Sequence, residues 1–380
     1  MLKVLVIGHT YMLDLNRDKF FILGRRQDIK IKIITPKMWP TTMYKLRSQN
    51  LSQDSIELVK LPVVFAGNES LYFYLYGLAM AIRAFDPDII HVEQGADALC
   101  YFQVHIIKKL FCKKFKTIFF TWVNWETNNG FPLSLIEKKN LRWASAAICG
   151  DQEARQLLIN KGFLKPIYVL PQLGVDINLF KKSEMIELKK SLMLDGFIVG
   201  YIGRLVEEKG IFDLLEAFKS LDFKSSLLLL GDGTLKKEIK NWIEVNKLEE
   251  RVRLLDPVIN VEVVPYLNCL DVLVLPSRTT KRWKEQFGHV IIEAMACEVP
   301  VIGSDSAEIP NVIGDAGLIF KEGDIQDLAD KIKILYKDAN LRAKIAKLGF
   351  ERVRNNFTHE KIAEKTYGIY QEVLKNEGEI

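Results

Sequence analysis

Residues 285–305 read EQFGHVIIEAMACEVPVIGSD and combine a loop, a helical run and a strand in one short stretch. The loop contains Gly288, the apolar run after it has helical composition, and VPVIG has the composition of a buried strand. The first N–H groups of a helix that starts near His289 have no partner within the helix and carry partial positive charge. Because Gly288 lets an anion approach the backbone closely, the stretch predicts a phosphate site at the start of the helix.

Two carboxylates stand eight residues apart in this stretch, Glu285 in the loop and Glu293 in the helix. At ~1.5 Å per residue, Glu293 lies about 6 Å along the helix axis from its start. One acceptor on each side of a phosphate site suits a sugar and a ribose joined by a diphosphate, which is the layout of a nucleotide-sugar. The alternative is that both glutamates only favour helix formation and interact with the helix dipole.

The composition is that of a folded globular protein. The length of 380 residues exceeds the size of one ordinary core, so we expect about two domains. No run approaches the ~18–20 apolar residues of a membrane span. The N-terminal MLKVLVIGHT leads straight into a strand, so we expect no signal peptide and a cytoplasmic location. The five cysteines are odd in number and never spaced C-x-x-C, which indicates free thiols.

The net charge of +5 is unevenly distributed. Residues 1–175 hold 23 Lys and Arg against 14 Asp and Glu, whereas the remainder holds 30 against 34. The densest basic cluster comprises Lys108, Lys109, Lys113, Lys114 and Lys116. It is either a solvated helix face, or a surface that attracts an anionic membrane or a phosphorylated acceptor. We expect no nucleic-acid partner.

Short apolar runs alternate with amphipathic stretches along the whole chain, the pattern of parallel sheets built from βαβ units. We predict strands at residues 3–7, 29–35, 57–62, 89–92, 117–121, 146–149 and 168–170, and then at 197–202, 226–230, 252–254, 271–275, 299–302 and 318–320. The helix predictions include residues 71–85, 98–111, 325–336, 340–355 and 360–375. The sequence therefore predicts an α/β protein of two Rossmann-like, doubly wound domains, joined near residues 179–194.

Three loops of the second half follow predicted strands, so they are expected at one edge of its sheet. The first reads GRLVEEKG at residues 203–210, and its Arg204 and Lys209 are suited to binding a diphosphate. The second is Gly231-Asp232-Gly233, and the third runs from Pro276 to Val290. The alternative for the first loop is an exposed turn of mixed charge.

Together these motifs resemble the retaining glycosyltransferases of family 4, which have the GT-B fold. The resemblance covers most of residues 197–320 and includes GRLVEEKG, LLLLGDGTL, DVLVLPS, EQFGHVIIEAM, VPVIGSD and EIPNVIGDAGLIF in the family's order. The spacing of Glu285 and Glu293 matches the family's E-x7-E signature. The resemblance implies an N-terminal acceptor domain at 1–180, a C-terminal donor domain at 181–359, a cleft between them, and a helix at 360–380 that packs back onto the first domain.

The resemblance also implies a role for each matched residue. Arg204 and Lys209 would bind the donor diphosphate and stabilise the leaving group, and Glu285 would contact the donor sugar. Glu293 would hold the ribose, while the backbone would contact phosphate or sugar at Gly288, His289 and Val290. The implied reaction moves a sugar from a nucleoside diphosphate to a glycan or lipid-linked acceptor with retention. No metal and no cofactor are implied, because the cations and the helix end neutralise the departing charge.

The first half departs from the family pattern. Many relatives have a Gly-Gly loop after the first strand and a His near the strand predicted at 117–121. This chain has Gly8-His9 at the first place and Asn124 and Glu126 after the second. We predict His9, Asn124 and Glu126 as acceptor-site or sugar-site residues. Two alternatives keep the fold and change the function: a nucleotide-sugar epimerase, and a non-catalytic nucleotide-sugar binding subunit.

Overall fold

The computed structural model describes residues 1–40, 45–47, 56–111, 113–126, 129–281 and 283–375. Cys112 and the last five residues of the predicted 360–380 helix lie outside this set. The chain forms two compact units, and it passes from the first to the second between Gly174 and Val175. The Val175 N–H donates to the Phe357 carbonyl at 2.9 Å and Val175 forms a β-bridge with Thr358, so residues from Val175 onward belong to the second unit.

The strands of the first unit are, in chain order, β1 (Leu2–Ile7), β2 (Ile29–Pro36), β3 (Met38–Pro40), β4 (Lys45–Arg47), β5 (Ile56–Leu61), β6 (Val63–Val64), β7 (Phe73–Tyr74), β8 (Ile89–Val92), β9 (Lys116–Thr121), β10 (Ala146–Cys149) and β11 (Ile167–Val169). Seven of them form a parallel sheet in the order β11-β10-β9-β8-β1-β2-β5, and β3–β4 and β6–β7 are antiparallel pairs. Val4 and Val6 of β1 enter one apolar layer, whereas Leu5 and Ile7 enter the other. The sheet is therefore buried on both faces, as parallel sheets are.

The helices that follow these strands are α1 (Asp18–Gly24), α2 (Leu78–Phe85), α3 (Leu99–Leu110), α4 (Leu133–Trp143) and α5 (Gln152–Asn160). The helix predicted at 71–85 is wrong in its first half, where β7 pairs with β6. The Tyr74 N–H donates to Gln103 Oε1 at 3.0 Å, and Gln103 Nε2 donates to the Tyr74 carbonyl at 2.7 Å. These bonds hold the segment extended until Gly77, whose φ of +87° precedes α2. Tertiary hydrogen bonding has overridden local helix propensity here.

The second unit has a six-stranded parallel sheet made of β12 (Phe197–Ile202), β13 (Ser225–Leu230), β14 (Val252–Leu255), β15 (Val272–Leu275), β16 (Val301–Ser304) and β17 (Leu318–Phe320). Their order is β14-β13-β12-β15-β16-β17. The chain therefore adds strands on one side of β12 and then returns to add β15 on the other side. The gap between the ends of β12 and β15 is the topological switch point, where open α/β sheets bind ligands.

The helices of the second unit are α6 (Ile186–Ser191), α7 (Ile211–Lys219), α8 (Lys236–Val245), α9 (Val263–Leu267), α10 (His289–Ala296), α11 (Ile309–Ile313), α12 (Ile325–Lys337) and α13 (Ala339–Asn356). The Asp324 and Asp338 side chains cap α12 and α13 by accepting N–H bonds from Asp327 and Leu341. Glu298, which follows α10, adopts the left-handed φ of +55°. The predicted α/β class with two Rossmann-like units is confirmed.

The last helix, α14 (His359–Lys375), belongs to the first unit and packs on α1. Ile362, Ile369 and Val373 enter the same apolar layer as Val4 and Val6. No helix within the described ranges is long and apolar enough to cross a membrane.

Candidate active site

The three loops predicted to converge at the carboxyl edge of the second sheet do lie against one another. A Cβ atom on Gly231 would stand 1.9 Å from the Gly203 carbonyl oxygen, and one on Gly233 would stand 2.2 Å from the Leu205 carbonyl oxygen. A Cβ atom on Gly210 would stand 2.0 Å from the Pro276 carbonyl oxygen. Glycine is required because the loops after β12, β13 and β15 touch backbone to backbone.

The contact between Lys209 and Glu285 is the centre of this edge. Lys209 ends a short 3-10 turn after β12, Glu285 lies in the loop after β15, and the Lys209 Nζ atom forms an ion pair with Glu285 Oε2. Both side chains are mostly buried, with exposed fractions of 13% and 9%. Ser277 Oγ donates to the same carboxylate oxygen at 2.8 Å, and the Trp283 ring centroid lies 4.7 Å from Lys209 Nζ. A cation and a carboxylate predicted to bind different parts of a donor are therefore in direct contact.

Arg204 supplies a second cation in the loop after β12, and its side chain is directed toward solvent. Its side chain is 61% exposed, and Nη2 lies 3.6 Å from Glu208 Oε1. The Tyr201 hydroxyl donates to the Arg204 carbonyl at 2.6 Å, which fixes the backbone of the loop. Burial, reinforced by the negative charge of Glu285, raises the pKa of Tyr201 well above its usual range. The Arg204 guanidinium is held only weakly, because exposed ion pairs contribute little.

Helix α10 begins at His289, as predicted, and Gly288 caps it with a φ of +76°. A Cβ atom on Gly288 would stand 2.8 Å from Leu275 Cδ2, so both the backbone and the available space favour glycine. The His289 ring lies 4.9 Å from the Phe287 ring, and Glu293 is a half-buried residue one turn into the helix. The helix thus places its N-terminal N–H groups at the edge that holds Lys209 and Glu285.

Four residues of this edge were missed as site residues by sequence reasoning. Ser277 and Trp283 contact the ion pair, as described above. The Arg278 guanidinium binds the buried Asp213 carboxylate, with Nε 2.7 Å from Oδ2, and the Arg278 backbone N–H donates to the Glu208 carbonyl at 2.8 Å. Ser277 and Arg278 follow β15 directly, and this position is a usable signal for a site residue. Nothing in the spacing of the sequence marks Trp283 or Asp213.

In the first unit, His9 follows β1 and is enclosed by polar and aromatic side chains. Its ring stacks on Trp39 at a centroid distance of 4.5 Å, and Gln94 Nε2 donates to its Nδ1. Its Nε2 lies 3.6 Å from Glu69 Oε1. Burial lowers the pKa of His9 to about 4, so the imidazole is neutral near pH 7. A neutral ring with fixed partners can exchange hydrogen bonds with a ligand.

A second polar group, which was not predicted, lies at the carboxyl edge of the first sheet. The buried Glu93, directly after β8, accepts hydrogen bonds from the Tyr11 hydroxyl, from Lys19 Nζ at 2.8 Å and from Gln172 Nε2 at 2.9 Å. Its Oε1 also lies 3.7 Å from Nε2 of the buried His91. The Lys19 ammonium balances the charge of the Glu93 carboxylate, and the three hydrogen bonds hold that carboxylate in place at the carboxyl edge of the first sheet.

The other two predicted residues of the first unit differ in exposure. Asn124 is buried, with an exposed fraction of 4%, whereas Glu126 is exposed. Both follow β9, just as His9 follows β1 and Glu93 follows β8, so all four residues lie after carboxyl ends of strands in the first sheet. Within the described part of the chain, no group of three or more His, Cys, Asp or Glu side chains is arranged to hold a metal ion.

The fold is that of known GT-B proteins. The structure of HepE from Anabaena in complex with UDP superposes with a TM-score of 0.75 at 19% identity, covering 98% of this chain and 100% of that one. HepE has also been solved with UDP-glucose, with a TM-score of 0.71 to this chain. The fold class predicted from the sequence, GT-B, is therefore confirmed.

Sequence comparison gives the family. Residues 184–352 match the family described as glycosyl transferases group 1. The capsular polysaccharide biosynthesis glycosyltransferase CapM of Staphylococcus aureus is 32% identical over 266 residues, covering 66% of this chain and 68% of CapM. The N-acetyl-alpha-D-glucosaminyl L-malate synthase of Bacillus anthracis is 32% identical over 209 residues, 53% of each chain. The chain therefore belongs to the glycosyl transferases group 1 family, and this membership identifies it as a glycosyltransferase.

Proposed function

We propose that this chain is a retaining, metal-independent hexosyltransferase of family 4, which moves a sugar from a nucleoside diphosphate to an acceptor hydroxyl. The observation that supports this most is the Lys209–Glu285 ion pair beside the N-terminus of α10 at the switch point. Fixed cations and helix N–H groups beside a carboxylate suit a leaving diphosphate next to a sugar. HepE was solved in complex with UDP and with UDP-glucose, which is the ligand class that this arrangement fits.

Each site residue has a proposed role that follows its position. Lys209 has three N–H donors and Glu285 takes one of them, so the others remain for a diphosphate oxygen. Arg204 adds a bidentate fork from the solvent side. The N–H groups at Gly288, His289 and Val290 contact phosphate or sugar.

The two glutamates of the E-x7-E signature contact different parts of the donor. Glu285 contacts the sugar hydroxyls, since it is held at the loop beside Lys209. Glu293 contacts the ribose from one turn further along α10.

The reaction requires the anomeric carbon to lose the diphosphate oxygen while the acceptor oxygen bonds to the same face, and the proton of the acceptor hydroxyl passes to the departing diphosphate. Charge builds up on the departing diphosphate and on an oxocarbenium-like sugar, and the Lys209 ammonium and the Arg204 guanidinium stabilise the former. His9, Asn124 and Glu126 are proposed to bind the acceptor or the sugar from the first unit. The acceptor is proposed to be a glycan or a lipid-linked precursor of a polysaccharide, because CapM is named for capsular polysaccharide biosynthesis.

Turnover with a panel of nucleoside-diphosphate sugars tests the proposal. A thermal-shift screen first selects the base and sugar, because a ligand that binds only the native state raises its apparent stability. Release of nucleoside diphosphate that depends on acceptor, with retained anomeric configuration by NMR, is the expected result. Interconversion of the donor sugar without release would identify an epimerase, and binding without any turnover would identify a non-catalytic subunit.

A further inference from the structure

The first unit contains an open pocket of about 550 Å³ that is separate from the edge described above. It is lined by His105, Lys108, Lys109, Lys113, Arg142 and Trp143. These residues belong to the C-terminal parts of α3 and α4 and to the segment after α3. Because α3 and α4 lead into the starts of β9 and β10, the pocket lies at the amino-terminal edge of the sheet, whereas His9 and Glu93 lie at the carboxyl edge.

Four of the six lining residues are cations, namely Lys108, Lys109, Lys113 and Arg142. Lys109 Nζ lies 3.6 Å from the Trp143 ring centroid, and Lys113 forms an ion pair with Asp86 at the margin. Burial lowers the pKa of Lys108, and the neighbouring charges of Lys116 and Lys165 lower it further. Neighbouring like charges disfavour one another, and an anion bound in the pocket would offset that repulsion.

His105 provides an independent indication of a ligand. The residue is only 2% exposed, and its Nε2 is buried with no hydrogen-bond partner within the described ranges. Burial and the nearby lysines lower the pKa of His105 to about 3, so the ring is neutral and keeps one N–H donor. A buried ring nitrogen without a partner is costly, and His105 lines the pocket, so a ligand oxygen that reached Nε2 would satisfy it.

The cations alone have a structural explanation, because Lys and Arg near helix C-termini favourably oppose the helix dipole. That explanation covers Lys108, Lys109 and Arg142, but it leaves the unpartnered Nε2 of His105 unexplained. A ligand that is both anionic and a hydrogen-bond acceptor accounts for both features.

We propose that this pocket binds a phosphate group. The exposed Leu110 and Phe111 follow Lys109 directly, with exposed fractions of 72% and 46%. Apolar side chains beside a cluster of cations are suited to a phosphate at a lipid surface, and a soluble phosphate ester is the other source of the same chemistry. The proposal does not depend on the transfer reaction, because the pocket lies at the opposite edge of the first sheet from His9 and Glu93 and in a different unit from Lys209 and Glu285.

The test uses the full chain and two variants of equal charge. In the pocket variant, Lys109→Gln and Arg142→Gln remove two lining cations. In the control, Lys138→Gln and Arg155→Gln remove one Lys and one Arg from exposed positions of α4 and α5 in the same unit. Binding is measured by co-sedimentation with vesicles of phosphatidylcholine, with and without phosphatidylglycerol, and by calorimetry with glycerol 3-phosphate and inorganic phosphate. Circular dichroism and the thermal midpoint show that each variant is folded, and Lys113→Gln alone serves as a milder second variant.

We expect the wild type and the control to bind at least one phosphate probe. The pocket variant should bind that probe about tenfold or more weakly, since each basic residue near an anionic surface contributes about a factor of five. Vesicle binding that needs phosphatidylglycerol would identify a lipid as the source, and binding of the small probes alone would identify a soluble ester. Equal losses in pocket variant and control would overturn the proposal, because they would reflect net charge only. Binding of no probe by the wild type would overturn it as well.

Discussion

Lys209 Nζ and Glu285 Oε2 form an ion pair although the residues stand 76 positions apart in the chain. The pair joins the loop after β12 to the loop after β15 across the switch point. Glu285 therefore has two proposed tasks, to fix the ammonium of Lys209 and to contact the sugar. Substitutions of Lys209 and Glu285, alone and together, separate these tasks.

The buried pair should make single substitutions costly to stability. Lys209→Met removes the ammonium that pairs with the buried Glu285 carboxylate, and breaking a buried ion pair in this way costs about 3–5 kcal/mol. Adding Glu285→Gln removes the buried negative charge, so the double variant should recover part of the loss. Urea unfolding of both variants measures this, with the exposed Lys237→Met as the matched control. A double variant less stable than Lys209→Met would contradict the account.

Arg204 should matter to the reaction and little to the fold. Arg204→Ala should lower kcat/KM by about 10²-fold or more, because loss of one positioned charge to a transition state costs ~3 kcal/mol. Arg204→Lys should recover only part, since the bidentate fork is lost. The thermal midpoint should stay near that of the wild type, because the side chain is 61% exposed. Near-normal turnover by Arg204→Ala would remove the residue from the donor site, and Lys237→Ala is the control.

The two glutamates should separate in binding and catalysis. Glu293→Gln should weaken the donor and the free nucleoside diphosphate equally, because the ribose is common to both. Glu285→Gln should lower kcat by at least ~10-fold, because interactions that strengthen in the transition state appear in kcat.

The Lys209–Glu285 ion pair affects the expected affinity of Glu285→Gln for free nucleoside diphosphate. Losing the Glu285 charge frees the Lys209 ammonium for phosphate, so affinity for free nucleoside diphosphate should stay within about twofold or rise. Calorimetry with the nucleoside diphosphate, beside steady-state rates, gives both quantities. Equal weakening of that ligand by the two substitutions would show that the roles are misassigned.

Turnover should survive removal of divalent metal. Arg204, Lys209 and the start of α10 supply the positive charge that a leaving diphosphate needs, so EDTA should leave the rate within about twofold. Rates are compared before chelation, after it, and after restoring Mg²⁺ or Mn²⁺. Complete loss with EDTA and recovery with either ion would refute the donor-site assignment.

The buried His91 should make stability fall in acid. Burial lowers its pKa from 6.5 to about 4, with the Lys19 charge adding to this effect and Glu93 opposing it. Between these two values the unfolded chain binds a proton that the native chain does not, so stability is lost as pH falls through this window. The slope contributed by one histidine is at most ~1.4 kcal/mol per pH unit.

Unfolding by urea between pH 4 and pH 7, run on the wild type and on His91→Gln, measures that slope. The free energy of unfolding of His91→Gln should depend less steeply on pH than that of the wild type. The contribution of His9 and His105 to that dependence should remain. Tyr370→Phe is the matched control, because it removes the 2.7 Å hydrogen bond to His91 Nδ1 and keeps the imidazole. An unchanged slope in His91→Gln would show that His91 is not the titrating group.

The sequence by itself determined the secondary structure of both sheets. Parallel strands that are buried on two faces appear in the sequence as nearly continuous apolar runs. Each predicted strand of the two parallel sheets therefore begins and ends within two residues of the observed strand. The start of α10 was equally legible, because Gly288 precedes an unbroken helical run. Residues 71–85 were misread because β7 is held by β6 and by Gln103, which lies 29 positions from Tyr74.

The tertiary structure alone decided which side chains meet. The strand order of each sheet, which apolar runs do not encode, brings Lys209 to Glu285 and gathers Tyr11, Lys19 and Gln172 around Glu93. Local patterns specify hydrogen bonds between near neighbours, whereas a buried ion pair depends on burial and on contacts between distant loops. The sequence named the candidate donor residues, and only the folded chain showed that two of them hold each other in place.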